Sequence, residues 1–149
     1  MQTFLPYSSF YETAKVLDRQ RLGKQRVETM QILKTLLGET EGWSNHPTTL
    51  MWEGYEPRLA VYGLYMCSEW RYRGYEDSLF PWFEEQRLSL IRQGVSTVDP
   101  PWMGDEDFHM SHRMKLLWKM PEHYQPIFGL AVPEEEPEYV WPESMFQEF

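Results

Sequence analysis

The sequence predicts an all-α fold: a compact single-domain bundle of about four helices, followed by an irregular acidic C-terminal segment. Three observations carry that prediction. Apolar residues recur at helical spacing in separate stretches, glycine and proline stand where helices would stop and start, and no run alternates with the period of a strand ladder. At 149 residues the chain is long enough for one domain with a real core and too short for two comfortable ones. The helical domain is expected over 1–130 and the Pro/Glu-rich segment over 131–149.

The first main helix rests on Leu22, Met30, Leu33 and Leu37, which form one apolar stripe. Its start lies either near Thr13 or after Asp18, Gly38 is a natural residue to end it, and Gly23 marks a bend or a close approach to a partner. After a loop over residues 39–47, Pro57 suits the first turn of a second helix. Its inner stripe is Leu59, Tyr62, Gly63, Met66 and Trp70, and Gly74 ends it just past Arg71 and Arg73, whose charges favour a helix C-terminus. Pro81 opens a third helix running to about Gln93, with Gly94 behind it. A turn-rich loop then leads to a fourth, from about Phe108 to Met120, stopped by Pro121. The tail can wrap the body through Tyr139, Trp141 and Phe146.

Composition narrows the functional class. The net charge of −9 argues against a general nucleic-acid binder, yet six glutamates put −6 into the last seventeen residues and leave the rest near −3. Residues 15–35 run the other way, with six basic residues against Asp18 and Glu28, a net +4. A basic island on an acidic chain is suited to an anionic partner, and phosphate is the usual one. Cys67 stands alone, so no internal disulfide is expected, and it falls among apolar helical positions. No apolar run reaches the length of a membrane span, and the first residues lack the basic and apolar regions of a signal peptide. The expected setting is therefore cytoplasmic, with no membrane partner. The acidic tail is a candidate surface for a protein partner.

Few residues are placed for chemistry. Arg21, Lys24, Gln25 and Glu28 fall on one helix face, with Glu28 the only acid in that basic helix. A carboxylate among cations stays ionised, ready to stabilise a cationic centre or accept a proton; the bland alternative is a solvated carboxylate paired with Lys24. His46, in Asn45-His46-Pro47, precedes a helix that the Asn45 side chain would cap. His109 and His112 share a helix face and could ligate a metal, but no third ligand of a recognisable pattern lies near them, so no metal and no cofactor is expected.

The pattern built from Leu17, Asp18, Leu22, Glu28, Leu37, Gly38, Thr40, Gly42, Asn45, His46 and Pro47 resembles the pyrimidine-dimer DNA glycosylase (endonuclease V) family. Weaker similarity continues through Arg73-Gly74-Tyr75, Ser111-His112-Arg113 and Pro121, to about residue 130. The resemblance implies a compact all-α protein, phage or bacterial, acting on double-stranded DNA. Such a protein excises ultraviolet-induced pyrimidine dimers and nicks the resulting abasic strand. It implies the α-amine of Met1 as nucleophile and Glu28 as the essential carboxylate, with an imine intermediate and AP lyase activity. Arg19, Arg21, Lys24, Arg26 and His46 would contact DNA, with Arg113 and Lys115 clamping the far side; Trp43, Trp52 and Tyr55 could stack on bases. Gln2, Val27 and Gln31 stand where the best-studied members carry basic residues. Two alternatives follow: a glycosylase for another modified pyrimidine, and a non-catalytic DNA- or protein-binding module on the same scaffold.

Overall fold

The computed structural model describes residues 1–143, so Phe146 and Glu148 of the expected tail lie outside the described residues. Among the described residues the structure is all-α, with seven helices where about four were expected: α1 (Phe10–Val16), α2 (Arg19–Leu36), α3 (Pro47–Trp52), α4 (Glu56–Tyr72), α5 (Phe80–Arg92), α6 (Glu106–Lys119) and α7 (Pro121–Phe128). The four expected helices are α2, α4, α5 and α6. The other three are short pieces without enough turns to print a periodic stripe.

Local chemistry explains each added boundary. Leu17 leaves the helical region, and Asp18 caps α2 by accepting a hydrogen bond from the Arg21 N–H at 3.2 Å, so the α2 start falls after Asp18 and α1 is separate. Pro47 opens α3, and the residue that caps it is His46, whose Nδ1 accepts from the Thr48 N–H at 3.1 Å; the Asn45 cap is thereby corrected. Pro121 ends α6 and opens α7 at once. Lacking an N–H, Pro121 cannot supply the next hydrogen bond of α6, yet it fits a first turn, where that donor would have no partner.

Helix α4 is central and packs on α1, α2 and α5. Two glycines make the approach possible. At Gly23 an added Cβ would sit 3.0 Å from the Trp70 ring, so the close approach is to α4 of the same chain. At Gly63 a Cβ would run into the ring of Phe83, which brings α5 against α4. Arg73 was expected to favour the end of its own helix. It stands at the C-cap of α4, ion-paired with Glu69 of that helix, and its guanidinium also donates to the carbonyls of Ala14, Lys15 and Leu17 at the end of α1. Cys67 is buried, and burial with the nearby Asp77 carboxylate pushes its thiol up to about 12, in keeping with a core residue. No described helix is long and apolar enough to cross a membrane.

The chain begins with an extended segment, and residues 2–6 are buried. Backbone buried outside a helix or sheet must find other partners, and here side chains supply them. The N–H groups of Gln2, Thr3, Phe4 and Leu5 all donate to side chains: Glu28, the Gln2 amide itself, Gln25 and His112. The carbonyls of Gln2, Phe4, Leu5 and Pro6 accept from Gln25, Tyr62, His109 and Arg113.

Candidate active site

That buried segment ends at a cleft of about 290 Å³, lined by Met1, Gln2, Gln20, Arg21, Lys24 and Glu28, with Phe4, Lys119 and Tyr139 completing the wall. The i, i+3, i+4, i+7 spacing of Arg21, Lys24, Gln25 and Glu28 on α2 brings them to this side of the helix. One oxygen of Glu28, Oε2, is anchored: the Gln25 amide donates to it at 3.3 Å and the Gln2 N–H at 3.4 Å. A single carboxylate thus faces the chain terminus, one arginine and two lysines.

His46 does not line the cleft but lies close enough to feel the charges of both the terminus and Glu28. Burial lowers its pKa first, and the Met1 ammonium lowers it further, against an opposing pull from Glu28. The neutral ring is therefore favoured, as its role of accepting a hydrogen bond at the α3 cap requires. The Thr48 hydroxyl reaches the Met1 carbonyl at 3.4 Å, so α3 also helps seat the terminus.

The basic residues divide. Arg21 and Lys24 line the cleft, and Arg19 is exposed beside a shallower groove that also takes in Lys24, Val27, Gln31 and Trp70. Glu28 lies on the border between the two cavities. Arg26 also lines this groove, but its guanidinium ion-pairs with the buried Asp77 carboxylate, its Nε 2.8 Å from Oδ1, and stacks over Trp70.

Arg113 and Lys115 do not form a clamp on a far surface. Both are buried; Arg113 donates to the Pro6 carbonyl and ion-pairs with Glu106, and Lys115 pairs with Glu136 at 3.0 Å. The Pro6 carbonyl of the buried N-terminal segment draws Arg113 inward, and Glu136 of the tail claims Lys115. Trp52 is fully buried and cannot stack on a base, whereas Trp43 is exposed and packs edge-on against His46.

The histidines of α6 serve the same segment. His109 Nε2 accepts from the Gly104 N–H, so its Nδ1 carries the proton and donates to the Leu5 carbonyl at 2.8 Å. His112 Nδ1 accepts the Leu5 N–H at 2.9 Å. Together they grip both sides of one residue, and among the described residues no group of three or more His, Cys, Asp or Glu is arranged to hold a metal ion.

Lys119 and Tyr139, with Phe4 and Gln20, are cleft residues that sequence reasoning missed as site residues. Desolvation, with Arg21 and Lys115 nearby, holds the Lys119 ammonium below its usual value, against the pull of Glu136 and Glu28. Burial raises the Tyr139 hydroxyl pKa. Lys119 ends α6 and Tyr139 lies in the irregular tail, about a hundred residues from Glu28, so neither shares a local spacing with it.

Comparison with known proteins adds one finding. No curated protein and no solved structure matches the chain. A family model described as pyrimidine dimer DNA glycosylase matches residues 1–80, which span α1 to the first residue of α5 and contain Met1, Glu28, Arg21, Lys24 and His46. The match covers more than half of the sequence, and the chain belongs to the pyrimidine dimer DNA glycosylase family.

Proposed function

We propose that the protein is a bifunctional DNA glycosylase and AP lyase that excises a damaged pyrimidine, the pyrimidine dimer being the substrate the family description indicates. The α-amine of Met1, read as the mature terminus, is the nucleophile. The observation that carries this reading is the shared cleft: a terminus whose backbone is held by side chains ends beside an anchored carboxylate, with Arg21, Lys24 and Lys119 around it.

The chemistry follows from the groups present. α-Amines as a class titrate near 7.7–8, well below lysine side chains, so a useful fraction is neutral at physiological pH. The amine lone pair forms a bond to C1′, and the glycosidic bond breaks with its electron pair leaving on the base. A proton lost from the amine returns to the departing base, and Glu28 stabilises the cationic sugar as that bond opens. Opening of the C1′–O4′ bond, with a proton taken up by O4′, leaves an imine between the chain and the sugar. The imine acidifies the 2′ carbon; Glu28 accepts a 2′ proton, and the electrons expel the 3′ phosphate, nicking the strand. Arg19, Arg21 and Lys24 hold backbone phosphates, with Lys119 also lining the cleft. The base must leave the stack for C1′ to be reached, at a cost of a few kcal/mol.

The test is borohydride trapping on duplex DNA carrying one abasic site. The wild-type protein with a free Met1 amine should form a covalent adduct. Acetylating that amine, or leaving a tag ahead of Met1, should abolish it, because an amide has no available lone pair. Glu28→Gln should keep DNA affinity and lower base excision by about 10²–10⁴-fold. Full adduct yield from a blocked terminus would exclude Met1. The alternative of another modified pyrimidine rests on uncharged Val27 and Gln31 lining the second groove; excision rates on dimer duplexes against duplexes with other modified pyrimidines rank the two.

A further inference from the structure

We infer that Gln25 is a positioning residue that locks the amino terminus and Glu28 into one unit, an inference that rests on reading Met1 and Glu28 as the reacting pair. Gln25 is 1% exposed, and its amide bonds Glu28 directly and reaches the terminus only through the backbone of the next residue, Gln2. Nε2 donates to the Gln2 carbonyl at 2.8 Å and to Glu28 Oε2 at 3.3 Å. Oε1 accepts the Phe4 N–H at 2.9 Å and lies 2.6 Å from the Tyr62 hydroxyl, which is also 2.7 Å from the Phe4 carbonyl.

This orientation is determined by its partners. Oε1 faces the Phe4 N–H and Nε2 faces the Gln2 carbonyl and Glu28, so a rotated amide would set donor against donor and acceptor against acceptor. Gln25 stands one helical turn before Glu28 on the same face of α2, while its other bonds reach residues 2 and 4 of the extended segment. Any slip of that segment along α2 breaks two backbone bonds of Gln25 and unseats Oε2 of Glu28 together. A glutamine that merely filled the core would also need partners for its amide, but not partners that join residue 2 to Glu28. Displacing a reacting group by about 1 Å costs on the order of 100-fold in rate, which sets the scale of the expected effect.

Two substitutions separate positioning from filling. Gln25→Met keeps length and burial and removes every hydrogen bond; the folded protein should lose about 100-fold in single-turnover trapping rate on an abasic duplex, with affinity for that duplex within about threefold of wild type. Gln25→Glu replaces the donor with a carboxylate facing the Gln2 carbonyl and Glu28. Its rate deficit relative to wild type should narrow as pH falls from 8 to 5.5, because the introduced carboxyl regains a proton to donate. Tyr62→Phe, which preserves core volume, provides a milder third variant should the others fail to fold, with an expected loss of about 3–10-fold. A folded Gln25→Met or Tyr62→Phe protein trapping at the wild-type rate, or a Gln25→Glu deficit independent of pH, overturns the inference. Absence of any adduct from wild-type protein overturns the Met1/Glu28 reading instead.

Discussion

The two ends of the described chain both lack regular structure and both reach the same cleft, yet they are held in opposite ways. Residues 2–6 are buried, and side chains from α2, α4 and α6 bind their backbone. Residues 131–141 lie over α6 with most positions exposed or half-exposed, held by the Lys115–Glu136 pair, a Val140 N–H to Ser111 bond and the Tyr139 ring against His112. A buried backbone group without a partner costs about 1–3 kcal/mol, so the first segment has one register. The second is held by contacts that water can largely replace. Rigidity is concentrated where an amine would have to meet a carboxylate, and the tail contributes one aromatic wall.

Breaking the grip on Leu5 should have the largest effect. His112→Ala leaves the Leu5 N–H unpaired and opens a cavity, so unfolding free energy should fall by about 2–4 kcal/mol in urea titrations at pH 7.5. The same histidine should give stability a pH dependence. Burial holds His112 down at about 3, and His109 is also lowered by burial, whereas an unfolded histidine titrates near 6.5. The unfolded chain therefore binds protons that the folded chain refuses. Stability is complete above about pH 6.5 and is lost as pH falls below it, by up to about 1.4 kcal/mol per pH unit for His112. His112→Asn, which can still accept from Leu5 without titrating, should flatten that acid slope; an unchanged slope would move the effect to other groups.

An intermediate effect is expected at the cleft mouth. Removing Arg21 and Lys24 together should flatten the plot of log affinity against log salt by about one to two units, as each lost phosphate contact releases fewer counterions. Arg113→Lys should leave that slope unchanged, since Arg113 is buried against Pro6 and Glu106. The smallest effect belongs to the tail. Glu136 is 55% exposed in its pair with Lys115, and Glu136→Gln retains an acceptor, so thermal unfolding should show a change within about 1 kcal/mol. A larger loss would mean that the tail is as firmly built in as the N-terminus.

Sequence alone determined the helices long enough to show a period and the punctuation around them. The stripes on α2 and α4, Gly38, Gly74 and Gly94 at helix ends, and prolines at helix starts are statements about neighbours in the chain. The alignment of Glu28 with Arg21 and Lys24 is of the same kind, because an α-helix converts spacing into a shared face. The resemblance, borne out by the family match, pointed to Met1, which no periodicity could have singled out. Tertiary structure alone decided which cations stay at the surface. Arg26, Arg113 and Lys115 carry the same charge in the sequence as Lys24, but Asp77, the Pro6 carbonyl with Glu106, and Glu136 claim them, while Arg21 lines the cleft paired with Asp18. It also brought Lys119 and Tyr139 beside Glu28 and made His109 and His112 a clamp on Leu5. Hydrogen bonds between residues about a hundred positions apart depend on packing, and a one-dimensional pattern carries no record of which buried backbone groups will need a partner.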